Sequence, residues 1–230
     1  MREQDSVEHF RFGHRREGGE ILSRLLLPYA SSTGNIVLAL PRGGVPVAEP
    51  VASALSAPLD VLPVRQLGAP GRDGVAVGAL ASGGVEMKDE AVIQMLGLSD
   101  DEVAKVVATE RAELSRRERA FRGRRKPPRL GGRTVFLVTD GLATGGAMRA
   151  AVRSVRRDGP EKVIAAAPVA ANDAVRELEP EVDAVVCAIA TDSLGAVGDW
   201  YWDFRKTNDR QVRALLARAE LRKNAPREAH

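Results

Sequence analysis

Val135-Phe136-Leu137-Val138-Thr139-Asp140-Gly141-Leu142-Ala143-Thr144-Gly145-Gly146-Ala147-Met148 is the stretch that decides the fold. Its first four residues are apolar and predict a strand buried on both faces. Thr139 and Asp140 follow at the carboxyl end. A run of small residues then opens a helix over Met148–Arg157. Backbone N–H groups in such a loop, and at a helix N-terminus, suit a phosphate monoester. Gly145 and Gly146 leave room for its close approach. Asp140 would accept hydrogen bonds from adjacent hydroxyls, as on a ribose. The same residues also fit a plain strand–helix turn in which Asp140 is a cap.

The pattern repeats to either side. Upstream, a helix is expected over Arg15–Tyr29, with Ile21, Leu22, Leu25 and Leu26 on one face, and a strand over Ile36–Leu40. Pro41-Arg42-Gly43-Gly44 ends that strand, and Val45–Leu55 continues as a helix with Pro46 in its first turn. Leu59–Val64 reads as one strand. The Gly-rich loop Gly68–Gly74 leads to Val75–Ala81 and Val85–Met87, joined by a Ser82-Gly83-Gly84 hairpin turn. Downstream, Lys162–Pro168 and Ala184–Ala190 are strands, and Asn172–Leu178 is a capped helix. Asn208 or Asp209 caps a last helix, after which 223–230 reads as a frayed tail.

Strands alternating with helices imply an α/β fold with a mostly parallel sheet and helices on both faces. In such sheets ligands sit beyond the carboxyl ends of the strands. The Arg42–Gly44 and Asp140–Gly146 turns both follow strands directly, so they should meet at one edge. The whole chain, 1–230, reads as a single domain. Residues 88–130 form a helical insertion and linker within it. There Ser99 caps a long helix whose first turn holds Asp100, Asp101 and Glu102. That helix is expected to be solvated or to face a second copy. Its arginines, Arg116, Arg117, Arg119, Arg122, Arg124 and Arg125, also allow a basic adaptor.

Composition sets outer bounds. Apolar residues are 44% of the 230, aromatics only 4%, and the net charge is +3. That charge is too small for a general nucleic-acid coat, so no specific nucleic acid is expected. The one cysteine, Cys187, lies in an apolar run and reads as a core residue. No apolar stretch approaches the roughly 18 residues of a membrane span. The polar N-terminus lacks a signal-peptide core, and a cytoplasmic protein is expected. His9, His14 and His230 have no helical metal spacing and read as surface or core-edge groups. G-x-x-x-x-G-K-[ST] and G-x-S-x-G are missing from the sequence.

The Asp140 stretch resembles the signature of the type I phosphoribosyltransferases, which bind 5-phosphoribosyl-1-diphosphate (PRPP). Ala39-Leu40-Pro41-Arg42-Gly43-Gly44-Val45 resembles their pyrophosphate loop. The segments Arg11–Gly19, Ala57–Val61 and Val64–Gly71 are similar to a bacterial branch of unassigned substrate, as are Glu113–Gly123 and Val182–Phe204. The resemblance implies that Asp140 contacts the ribose hydroxyls. Ala143, Thr144, Gly145, Gly146 and Ala147 would cradle the 5-phosphate, with Thr139, Gly43, Gly44 and Arg65 also holding PRPP. Arg42 and the Gly43–Gly44 amides would stabilise charge on the leaving diphosphate. Mg2+ would ride on that diphosphate with no protein cage. The acceptor would be a base or amine, and a homodimer is the default assembly.

Three residues depart from the pattern. Thr139 replaces an acid, Ala147 a Thr or Ser, and Gln66 a Lys. They favour an alternative, a PRPP or nucleotide sensor without turnover. The aromatics Trp200, Trp202 and Phe204 would share one face of an extended segment. They would form either a packed lid or a wall for a base, with Asp203 beside them.

Overall fold

The computed structural model describes residues 10–32, 34–72, 74–123 and 125–224, the last two without their side chains. The frayed tail, apart from the helical backbone of 223 and 224, lies outside them, as do His9, His230 and Arg124.

The central sheet holds β2 (Asn35–Ala39), β3 (Leu59–Val61), β7 (Thr134–Val138), β8 (Lys162–Ala171) and β9 (Ala184–Thr191), in the order β3-β2-β7-β8-β9. Every neighbouring pair is parallel. The alternation of side chains builds two cores. Val37, Ala39, Phe136 and Val138 face α1 (Arg15–Leu26), α2 (Gly44–Ala54) and α7 (Asp209–Asn224). Ile36, Leu38, Val135 and Leu137 face α5 (Gly146–Arg156) and α6 (Asn172–Leu178). All eight strand side chains are at most 1% exposed, which is why these strands read as unbroken apolar runs.

The expected Leu59–Val64 strand is two strands. Pro63 has no N–H for a ladder. The chain leaves the central sheet after β3 and re-enters order as β4 (Val64–Gly68), which pairs antiparallel with β5 (Ala76–Ala81). β5 pairs in turn with β6 (Val85–Lys88) through the expected hairpin. A short helix, α3 (Glu90–Leu96), precedes the long α4 (Asp100–Arg122), whose N-terminus carries a full Ser99/Glu102 capping box. α4 packs along one stripe and leaves its other face to solvent. Val103, Val107 and Leu114 lie along one stripe and pack with Leu67, Val77 and Leu80 of this second sheet. Its far end returns to the central sheet, where Arg122 meets Asp60 at 3.0 Å with both residues buried.

Three α4 arginines of the basic run pair within the chain, while Arg119 is exposed. Arg116 and Arg117 bond Glu113, and Arg122 bonds Asp60, Glu118 and the Val61 carbonyl.

Other expectations shift in detail. α1 ends at Leu26 and Leu25 is exposed, while Leu22 and Leu26 are buried. α6 has no side-chain cap, because Asn172 is its first residue and bonds Asp192 instead. β8 runs on through Pro168, beyond the point where β7 stops pairing with it at Ala166. Cys187 is half-buried, and burial pushes its thiol up to about 11. Among the described residues no helix is long and apolar enough to cross a membrane.

Candidate functional site

The two glycine turns meet. β2 and β7 are neighbours, and Leu40 N–H donates to the Val138 carbonyl at 2.8 Å where both strands end. The chain then turns directly into α2 and α5 respectively. Two helix N-termini, each the positive end of an 11-residue helix, therefore open at one sheet edge.

Contact between the turns depends on the absence of side chains. A Cβ on Gly43 would lie 2.0 Å from Asp140 Oδ2, and one on Gly44 would lie 2.6 Å from the Val138 carbonyl. Only glycine lets the turns come this close. Beyond Asp140, Leu142 is pinned to β8 by N–H donation to the Val169 carbonyl and by accepting from Ala171 N–H. This pin lifts the following residues clear. Ala143, Thr144 and Gly146 are exposed, Gly145 is buried beside Glu177 and Arg149, and Ala147 is half-buried in the first turn of α5.

Asp140 is held from three sides. Arg15 Nε donates to Oδ2 at 2.8 Å. Thr139 Oγ1 lies 3.4 Å from Oδ1. The Tyr201 hydroxyl donates to the Asp140 carbonyl at 2.6 Å. Burial and the charge of Asp140 push the Tyr201 phenol well above its ordinary value, so it stays a donor. Arg15 also donates to the Arg205 carbonyl at 2.8 Å, and its Cζ lies over the Phe204 ring, 3.7 Å from the centroid. In the sequence Arg15 falls within a family-like segment and carries no assigned role. Its partner is 125 residues away, and no local pattern reveals such a pairing.

Arg15 and Tyr201 arrive on a small sheet of their own. β1 (Phe12–His14) pairs parallel with β10 (Tyr201–Asp203), matching Phe12 with Tyr201 and His14 with Asp203. His14 caps α1 by accepting from Glu17 N–H at its Nδ1. The aromatic reading needs correcting here. Trp200 ends a 3-10 turn, so strand alternation begins only at Tyr201. Trp200 and Tyr201 are buried with Phe12 and Leu194, Phe204 stacks on Tyr201, and Trp202 points out at 74% exposure with Arg11 over its ring. The cluster packs the C-terminal segment down as a lid.

Arg42 and Arg65 make other contacts. Arg42 is exposed and pairs with Asp209 at the start of α7, 3.3 Å away. Arg65 lies on β4 and bonds Glu110 at 2.5 Å. Gln66 lines a cavity of about 620 Å³ between the β4–β5 loop and α4, together with Arg72, Lys105 and Glu110. No residue of the Asp140 or Gly43 turns borders that cavity.

Among the described residues no group of three or more His, Cys, Asp or Glu is placed to hold a metal ion. A magnesium ion carried by a ligand's own oxygens needs no such group. Asp140, with Oδ1 not taken by Arg15, suits a water of its shell.

Two glycine turns closing on one carboxylate at the end of a parallel sheet define the type I phosphoribosyltransferase fold. The chain belongs to the phosphoribosyl transferase domain family, which it matches over residues 19–205. It is 40% identical over 209 residues to the Mycobacterium tuberculosis protein named "Putative phosphoribosyl transferase Rv0571c". That match takes in 90% of this chain and 47% of the relative, so the chain spans about half the length of the curated relatives it matches. Among solved structures, TT1426 from Thermus thermophilus superposes with a TM-score of 0.76 at 37% identity, covering 91% of this chain and 99% of that one. AQ2163 from Aquifex aeolicus, at 14% identity and a TM-score of 0.51, covers 82% of this chain and 85% of its own, and shares the fold.

Proposed function

We propose that this chain transfers the phosphoribosyl group of PRPP, taken as its magnesium complex, to a nitrogen nucleophile and releases pyrophosphate. The observation that carries this reading is the contact of Gly43 with Asp140 at the ends of adjacent parallel strands. A ribose whose hydroxyls bond Asp140 would turn its 5-phosphate to the amides of Gly145–Ala147 and its diphosphate to Gly43 and Gly44. Magnesium, when bound, supplies neutralisation of the diphosphate charge. The chain's own part is to orient the ribose through Asp140, itself held by Arg15 and Tyr201. The α2 N-terminus faces the negative charge that leaves with pyrophosphate. Arg42 joins it by releasing Asp209.

A second reading, PRPP binding without turnover, is favoured by Thr139. A neutral hydroxyl stands where a second carboxylate would help stabilise a positively charged ribosyl transition state, and Arg15 adds positive charge at the remaining one. A lost charged contact of this kind is worth on the order of 2–4 kcal/mol in the barrier, roughly 30- to 1,000-fold in rate.

Calorimetry with Mg-PRPP, beside a pyrophosphate-release assay over a panel of bases and amines, tests both readings. We expect clear binding with slow turnover, and faster turnover in Thr139→Asp. No binding of Mg-PRPP would reject the donor assignment. A natural protein as fast as Thr139→Asp would show that position 139 does not limit catalysis.

A further inference from the structure

A cavity of about 480 Å³ lies where three helices begin. Arg15 and Arg16 open α1 there, Pro46 stands in the first turn of α2, and Gln211 in the first turn of α7. The starts of helices carry partial positive charge, which favours an anion. The wall continues through Asp203, Arg205 and Lys206 and takes no residue from the Asp140 or Gly43 turns. It is a space apart from the site above, and Arg15 joins the two. Its Nε bonds Asp140 and its Nη1 the Arg205 carbonyl.

Hydrogen bonding in that wall is lopsided. Its side-chain acceptors are engaged. Asp203 accepts from Arg205 at both carboxylate oxygens. Asn208 Oδ1 accepts from Gln211 N–H at 2.9 Å, and Gln211 Oε1 accepts from Asn208 N–H at 2.8 Å. His14 Nδ1 accepts from Glu17 N–H, so the ring proton sits on Nε2. What remains are donors: the His14 Nε2–H, the NH2 groups of Asn208 and Gln211, and Nη2 of Arg15, which makes no hydrogen bond among the described residues. Lys206 adds an exposed ammonium with no ion pair among them. The described lining holds no Phe, Tyr or Trp, so nothing in it reads a base by stacking. Surplus donors around a polar space suit an anion rich in acceptor oxygens, and the volume admits a phosphomonoester as well as the bare ion.

We propose that this cavity is a regulatory site for a phosphate group, free or as a phosphomonoester, and that its occupancy weakens the hold on Mg-PRPP. The inference rests on the PRPP reading above. The coupling runs through Arg15 and through charge. A phosphate at Nη2 competes with Asp140 for one guanidinium and loosens the carboxylate that orients the ribose. The same negative charge sits beside the first turn of α2, whose start faces the diphosphate, and repels it. Both effects have one sign. By linkage, Mg-PRPP weakens the phosphate by the same factor.

The test is calorimetry of Mg-PRPP in rising inorganic phosphate, and separately in rising glycerol 3-phosphate, each against sodium chloride of equal ionic strength. A phosphate that took the PRPP site itself would raise the apparent Kd without limit. One in the cavity raises it to a plateau, expected at about five- to tenfold. Whichever salt reaches half the plateau at the lower concentration tells whether the phosphate is free or esterified. Lys206→Glu, at an exposed position, should remove the plateau, with its own affinity in chloride as reference and circular dichroism to check its fold. An unmoved Kd, a rise without limit, or a plateau that survives Lys206→Glu overturns the proposal. If Mg-PRPP does not bind at all, the PRPP reading falls, and direct calorimetry of phosphate decides the cavity by itself. Binding about tenfold weaker in Lys206→Glu then keeps the anion site, and equal binding removes it.

Discussion

Replacing Arg15 with Met removes the charge that orients Asp140 while keeping most of the side chain's length. The side chains of this pair are 11% and 20% exposed. A surface ion pair contributes about 0–1 kcal/mol, and breaking a fully buried one costs about 3–5 kcal/mol. The Arg15–Asp140 pair lies between these limits. Arg15→Met also loses the bond to the Arg205 carbonyl and the stack on Phe204. We expect a net loss of about 2 kcal/mol. For a chain of this size that lowers the melting temperature by roughly 4–8 °C. A double-mutant cycle isolates the pair. Arg15→Met, Asp140→Asn and the double variant, unfolded in urea, should give a coupling of about 1–2 kcal/mol. The same variants should each weaken Mg-PRPP by roughly 1–3 kcal/mol, with little further loss in the double variant. Additive effects on stability, within about 0.3 kcal/mol, would refute the claim that Arg15 holds the Asp140 loop. Unchanged Mg-PRPP affinity in Arg15→Met would refute its part in the site.

Gly43→Ala should leave the fold intact, since the backbone there is ordinary right-handed helical (φ −62°), yet its methyl would meet Asp140 Oδ2 at 2.0 Å. One of the two must move, and Mg-PRPP affinity should fall by more than about tenfold; calorimetry on a protein of unchanged circular dichroism checks this. Glu49 is buried in α2 among Arg16, Arg218 and Arg222. Burial pushes its carboxyl up, but hydrogen bonds and charges from Arg222 and Arg218 together hold it below the ordinary 4.5. Its stabilisation is therefore complete above pH 4.5 and is lost as pH falls through the folded value. The melting-temperature gap between the natural protein and Glu49→Gln should narrow below that pH, and a constant gap would show that Glu49 is not responsible.

The central sheet was legible in the sequence because its strands are buried on both faces. Val135–Val138 and Ile36–Ala39 are apolar at every position, a pattern that needs helices on two sides. The two glycine turns were legible for a related reason. Each follows a strand at once, and parallel connection puts all such turns at one edge. The Ser99 cap and the Ser82-Gly83-Gly84 hairpin are local hydrogen-bond patterns, and local chemistry is written in adjacent residues.

What stayed hidden was what depends on distant partners. Which stripe of α4 is packed turned on a second sheet whose first strand, β4, starts where Pro63 ends the run that holds β3. Trp200 and Trp202 look equivalent in the sequence, and only the turn that ends at Trp200 buries one and exposes the other. The pairing of Arg15 with Asp140 sits where β1 lies against β10 and brings Arg15 and Tyr201 to the end of β7. A sequence specifies which backbone can form where, through burial pattern and glycine. Which arginine meets which carboxylate among so many is settled by the tertiary fold, since the strength of an ion pair depends on distance and burial and not on position along the chain.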